Sequence, residues 1–163
     1  MTDDLAAWTD FSVAMLGASA ALAGLVIVAM SVNISQIIAS RTLTARLAAG
    51  IATLVLTIVA SGMALIPGLG ALWYGIVLLA ITAAAGLFQV HASVAIFTDP
   101  DPADRARFGK AALGFIPIGA YLVAAVLMMI GAPGGLAAAA IGALTAIVAA
   151  IVVSWVVLVE VLR

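Results

Sequence analysis

The stretch Asp10-Phe-Ser-Val-Ala-Met-Leu-Gly17-Ala-Ser-Ala-Ala21-Leu-Ala-Gly24-Leu-Val-Ile-Val28-Ala-Met-Ser31-Val-Asn33-Ile-Ser35 decides the reading of this chain. Its one charge stands at its start, and it is long enough to cross a bilayer, which needs roughly 20 predominantly apolar residues. Taken in alternating steps of four and three, one face carries Asp10, Ala14, Gly17, Ala21, Gly24, Val28, Ser31 and Ser35. Apart from the acid at the end, only Val28 in this set is larger than a small residue. Small side chains let a second helix approach closely, which is how membrane helices associate where burial of apolar surface supplies no drive. The stripe is either a packing seam or the wall of a narrow path.

The rest of the chain has the same character. Of 163 residues, 67% are hydrophobic and 8% charged, and the mean hydropathy is +1.38. These values lie far outside those of a water-soluble domain. The length suits one compact membrane bundle over residues 1–163, with no separate soluble domain. A net charge of −1 with six basic residues argues against nucleic acid as a partner. The absence of cysteine excludes disulfides, thiolate metal sites and cysteine nucleophiles. The acidic stretch from Met1 to Asp10 lacks the basic region of a signal peptide, so the first apolar run is expected to be retained.

Five apolar stretches follow one another, at about 11–38, 43–66, 71–97, 111–130 and 136–162, each of about 20 to 28 residues and so able to span. Pro67-Gly68 and Gly70 break the second from the third, and Pro133-Gly134-Gly135 break the fourth from the fifth. The expected fold class is therefore all-α, a polytopic bundle of five transmembrane helices. The polar loop 98–110 is read as solvated; within it Asp101 suits an N-cap and Pro102 a first helical position, so a helix is expected to run from there into the fourth span, bent at Pro117. With five spans, Arg41, Arg46, Arg105, Arg107, Lys110 and Arg163 all fall on one side of the membrane. The positive-inside rule makes that side cytoplasmic and puts the N-terminus outside. Trp8, Trp73 and Tyr74 are expected at the outer boundary as an aromatic belt.

Polar residues inside spans are costly and mark either function or helix-to-helix contact. His91 lies about two turns from the cytoplasmic end of the third span; it is either a neutral imidazole bonded to a neighbouring helix or a proton-sensitive group. Gln89 and Ser93 share a face with Thr82 and Gly86, opposite His91, and Asn33 and Gln36 of the first span are in reach of one of these faces as interhelical contacts. Thr53, Thr57 and Ser61 form a hydroxyl stripe able to bond its own helix carbonyls. Glu160 and Arg163 suit a surface pair. In the fifth span Gly135, Ala139, Gly142, Ala146, Ala149 and Val153 repeat the small-residue theme, which makes two seams and points to homo-oligomerisation.

No P-loop, dinucleotide fingerprint, zinc-protease motif or nucleophile elbow occurs, so an enzyme, a cofactor and a metal site are not expected. The segment Ser19-Ala-Ala-Leu-Ala-Gly24-Leu-Val-Ile-Val-Ala-Met30 is similar to the pore helix of Orai calcium channels, with its Ser-Ala-x-Leu-x-Gly and Val-Ala-Met pattern. Orai subunits have four spans and a pore helix of opposite direction, and the filter glutamate would fall near Val32, so that function is not carried over. Over its length the chain resembles small alanine-rich, five-span membrane proteins of high-GC bacteria, which implies a bacterial inner (plasma) membrane. Three functions stay open: a homo-oligomeric ion channel or pore lined by the small face of the first span, an accessory subunit packing on another membrane protein through its glycine seams, and a small-solute transporter. The first is preferred. The expected partners are the lipid bilayer and copies of the chain itself.

Overall fold

The computed structural model describes residues 7–98 and 107–161. Among these, all regular structure is helical: α1 (Thr9–Val32), α2 (Ile34–Ala39), α3 (Arg41–Ala64), α4 (Ala71–Thr98), α5 (Arg107–Met129) and α6 (Gly135–Val161). Five of the six, all but α2, are long and apolar enough to cross a membrane. The expected helix start near Pro102, the acids of the 98–110 loop and the Glu160–Arg163 pair lie outside the described residues.

Each helix ends where its local chemistry gives out. The first apolar stretch is not one helix, because the chain breaks at Asn33 (φ −113°, ψ 23°) and restarts as α2. Ser40 alone then separates α2 from α3. Its backbone is extended, and its hydroxyl accepts from the Leu43 N–H at 3.3 Å, an N-cap that satisfies one of the free amides of the first turn. Thr44 Oγ1 donates back to the Ile37 carbonyl at 2.8 Å and clamps the corner. At the far end of α5, the Ala132 N–H reaches the Leu127 carbonyl and the Gly131 N–H that of Met128, with Gly131 at φ +67°. This is a Schellman ending, which needs a left-handed residue and so a glycine. Pro117 sits fully buried inside α5, where it leaves the Leu113 carbonyl without its helical donor.

The helices α3, α4, α5 and α6 form a closed ring in which each packs on the next and α6 returns to α3. In contrast, α1 lies outside the ring along α3 and touches α6 lightly. Along its most apolar stretch 17% of residues are buried, against 44% for α3. The ring is built largely from alanine: Ala85, Ala124, Ala125, Ala143 and Ala146 are buried, with Leu54, Leu78 and Tyr121 as the larger side chains among them. Close approach of backbones replaces bulky packing. At Gly75 of α4 a Cβ would meet the Ala125 carbonyl oxygen at 2.9 Å and Met129 Cγ at 2.7 Å, so glycine permits the α4–α5 contact.

Candidate functional site

The eight-residue stripe of the first span faces away from the ring. Asp10, Ala14, Gly17, Ala21, Gly24, Val28 and Ser31 are all exposed on α1, whose buried residues are instead Ser12, Ser19, Ala23 and Val26. A Cβ built on Gly17 or Gly24 would meet nothing within 4 Å. The register runs unbroken from Asp10 to Ser31. Ser35 and Gln36, though exposed, belong to α2 beyond the break at Asn33 and do not continue that helix. Asp10 is not the cap of α1: Trp8 holds that position without a side-chain bond, and Asp10 lies in the first turn, where a negative charge still complements the helix dipole.

The small face of α6 has the opposite fate. Gly135, Ala139, Gly142, Ala146 and Ala149 are buried in the ring. Gly142 receives the Tyr121 ring, three of whose atoms lie 2.9–3.0 Å from where a Cβ would stand. Of the two seams expected from the sequence, one is consumed within the bundle and one is left on its outside.

The interior carries more polar groups than the sequence reading assigned to it. Thr53 and Thr57 donate to the carbonyls of Ala49 and Thr53 at 2.8 and 3.1 Å, and the Tyr121 hydroxyl donates to Thr57 Oγ1 at 3.1 Å. Tyr74, expected in the aromatic belt, is 2% exposed and donates to the Ala60 carbonyl at 3.2 Å. Trp73 at 63% and Trp155 at 67% are the exposed indoles near the ends of α4 and α6. Arg46, expected only as one of the charges of the cytoplasmic side, lies within α3 and is 6% exposed. Gln89 Nε2 donates to the Ala111 carbonyl at 3.4 Å, and its amide lies against the backbone of Gly114, tying α4 to α5.

These groups surround two small cavities of about 20 Å³ each. One is lined by Arg46, Thr53, Gln89 and Gly114 among others, the second by Ser12, Ser61, Tyr74 and Tyr121 with Trp8, Ala64 and Leu136. Trp8, Ala64 and Leu136 also line a wide, mainly apolar cleft of about 670 Å³ between the α3–α4 and α5–α6 turns.

The remaining polar residues of the spans do not converge. His91 is exposed on α4, among Leu87, Val90 and Val94, and bonds no neighbouring helix among the described residues. Asn33 Nδ2 donates within its own helix to Ala29 at 3.2 Å and meets neither Gln89 nor His91. Ser93 donates to the Gln89 carbonyl of its own helix at 2.9 Å. Among the described residues no group of three or more His, Cys, Asp or Glu is placed to hold a metal ion. Tyr121, at the centre of the interior, was passed over in the sequence, and Arg46 was read there only as one of the cytoplasmic charges. The signal for Tyr121 was its place in mid-span, where a phenol must find a partner. No family model matches the chain, and neither a curated protein nor a solved structure is similar to it.

Proposed function

We propose that the chain is an integral membrane protein that assembles with copies of itself through the outer face of α1 and forms a pore along the axis those faces share. The observation that supports this is the contrast between the free stripe on α1 and the packed ring behind it. Cavities of about 20 Å³ do not admit a hydrated ion, so ion conduction needs an axis between subunits. Asp10, Gly17, Gly24 and Ser31 recur at every seventh residue, the period of left-handed helix packing. At such an axis the Asp10 carboxylates form a ring at one mouth, and acid rings concentrate cations. The clustering of basic residues supports placing that mouth outside, in a bacterial inner membrane.

Gly24→Leu tests the assembly and Asp10→Asn the pore. The leucine should reduce the oligomer to monomer by mass in native detergent while the monomer keeps its helix content, because nothing within the subunit touches that site. In liposomes the asparagine should lower cation current or selectivity with the fold unchanged. Unaltered currents exclude the acid ring. A protein that is monomeric and silent, or that purifies with a different membrane protein, supports the accessory-subunit reading instead.

A further inference from the structure

Along α3 the features of the interior follow in order. Ala64 borders the wide cleft, Ser61 the outer cavity, Thr57 accepts from Tyr121, and Thr53 and Arg46 border the inner cavity, with Arg46 at its far end. From residue 64 to residue 46 the helix rises about 27 Å at roughly 1.5 Å per residue, against about 30 Å for the hydrocarbon core of a bilayer. We propose that this column is a water path through a single subunit, with the Thr57–Tyr121 hydroxyl pair as its constriction.

The outer cavity carries the argument. Ser12 and Ser61 line it and are 6% and 8% exposed; no side-chain hydrogen bond joins either hydroxyl to the described residues, and neither oxygen is sealed off as that of Ser19 is. Buried polar groups in native structures are paired with protein or with water. At about 20 Å³ the cavity exceeds the roughly 10–15 Å³ that one water needs. A water there meets two hydroxyls, within the usual two to four partners of a buried water. The inner cavity has the same size and offers Thr53 and the Gln89 amide, one N–H of which goes to Ala111 while Oε1 remains an acceptor.

Between the cavities stands the Tyr121 ring, held in place by the absence of a side chain at Gly142. Its hydroxyl and that of Thr57 are rotors, so either can turn toward a water on its own side without moving the ring. Hydrogen bonds thereby run from one cavity to the next, and a water passes when the Thr57–Tyr121 contact opens. The path admits water and excludes hydrated ions, and it owes nothing to the outer face of α1.

The full chain in phosphatidylcholine–phosphatidylglycerol vesicles, exposed to a sucrose jump, tests this by light scattering. Native protein should shrink vesicles faster than lipid alone. Tyr121→Ala should raise the rate several-fold further, Ser61→Leu should remove most of the gain over lipid, and Gly119→Ala, where a Cβ meets nothing within 4 Å, should leave it unchanged. Equal rates for lipid, native protein and folded Tyr121→Ala overturn the proposal. A native-protein measurement stands beside the variants: hydroxyl radicals generated from water by X-rays should oxidise Tyr121 in the vesicle-embedded protein. An unmodified Tyr121 overturns the path even if the alanine variant does not fold.

Discussion

Replacing Gly142 by alanine adds one methyl group to a tight contact between α5 and α6. The new Cβ would stand 2.9 Å from Cδ2 of Tyr121 and 3.0 Å from Cε2 and Cγ, all three on one rigid ring. That ring is 1% exposed, and its hydroxyl is tied to Thr57 at 3.1 Å. It cannot yield as the end of a flexible side chain would, so α6 must back away or the ring must tilt off its partner. Overpacking of this kind costs about 1–3 kcal/mol, while glycine to alanine within a helix returns up to about 1 kcal/mol. Gly119→Ala, in α5, supplies the reference, because a Cβ there meets nothing within 4 Å and the helix-forming gain is the same. The difference between the two variants therefore isolates the packing cost, about 1–3 kcal/mol in favour of Gly119→Ala. Unfolding of the purified protein by titrated sodium dodecyl sulfate, followed by circular dichroism, measures it. In a Tyr121→Leu background the difference should shrink, since residues in contact couple and separated ones add. Two alanine variants that unfold together would refute the close contact of α5 and α6.

Ser19 is fully buried against the ring, and its hydroxyl has no partner. Ser19→Ala should raise stability by about 1 kcal/mol in the same titration, since removal of an unpaired buried hydroxyl relieves its desolvation cost; a loss of that size would mean that the hydroxyl is paired. For orientation, the absence of native cysteine lets single thiols report cleanly. Thr9→Cys should react with a membrane-impermeant reagent in intact cells and Ala103→Cys should not, and labelling at Ala103 alone would invert the topology.

The number of helices long and apolar enough to span was legible in the sequence because length, apolarity and breakers such as Pro67-Gly68 and Pro133-Gly134 are local properties. Which way a helix faces is not local. The small faces of α1 and α6 read alike, yet one faces outward and the other receives Tyr121, since glycine and alanine suit any close surface and name no partner. Tyr74 stands one residue from the exposed Trp73 and was grouped with it, although successive helical residues point about 100° apart and only Tyr74 turns inward to Ala60. Arg46 read as one more charge at the cytoplasmic end because the corner at Ser40 is a single residue, shorter than composition suggests, and α3 already begins at Arg41, two residues before its apolar run. His91 shows the converse: a polar residue in a span invites a partner within the chain, and the structure leaves it on the outside.

The Ser40 corner also limits what copies of this chain can exchange. Subunits often trade a peripheral helix when the tether to it is long, and α1, held mainly along α3, would otherwise be the element to trade. One extended residue reaches about 3.5 Å, whereas carrying α1 to a neighbouring subunit means clearing a helix roughly 10 Å across. The slack would have to come from melting α2, whose Ile37 is buried with Val26, Leu47 and Val157 and whose end is clamped by Thr44. In the proposed assembly each chain therefore keeps its own first helix and meets its copies as a finished body, with the outer surface of α1 already set in place before the encounter.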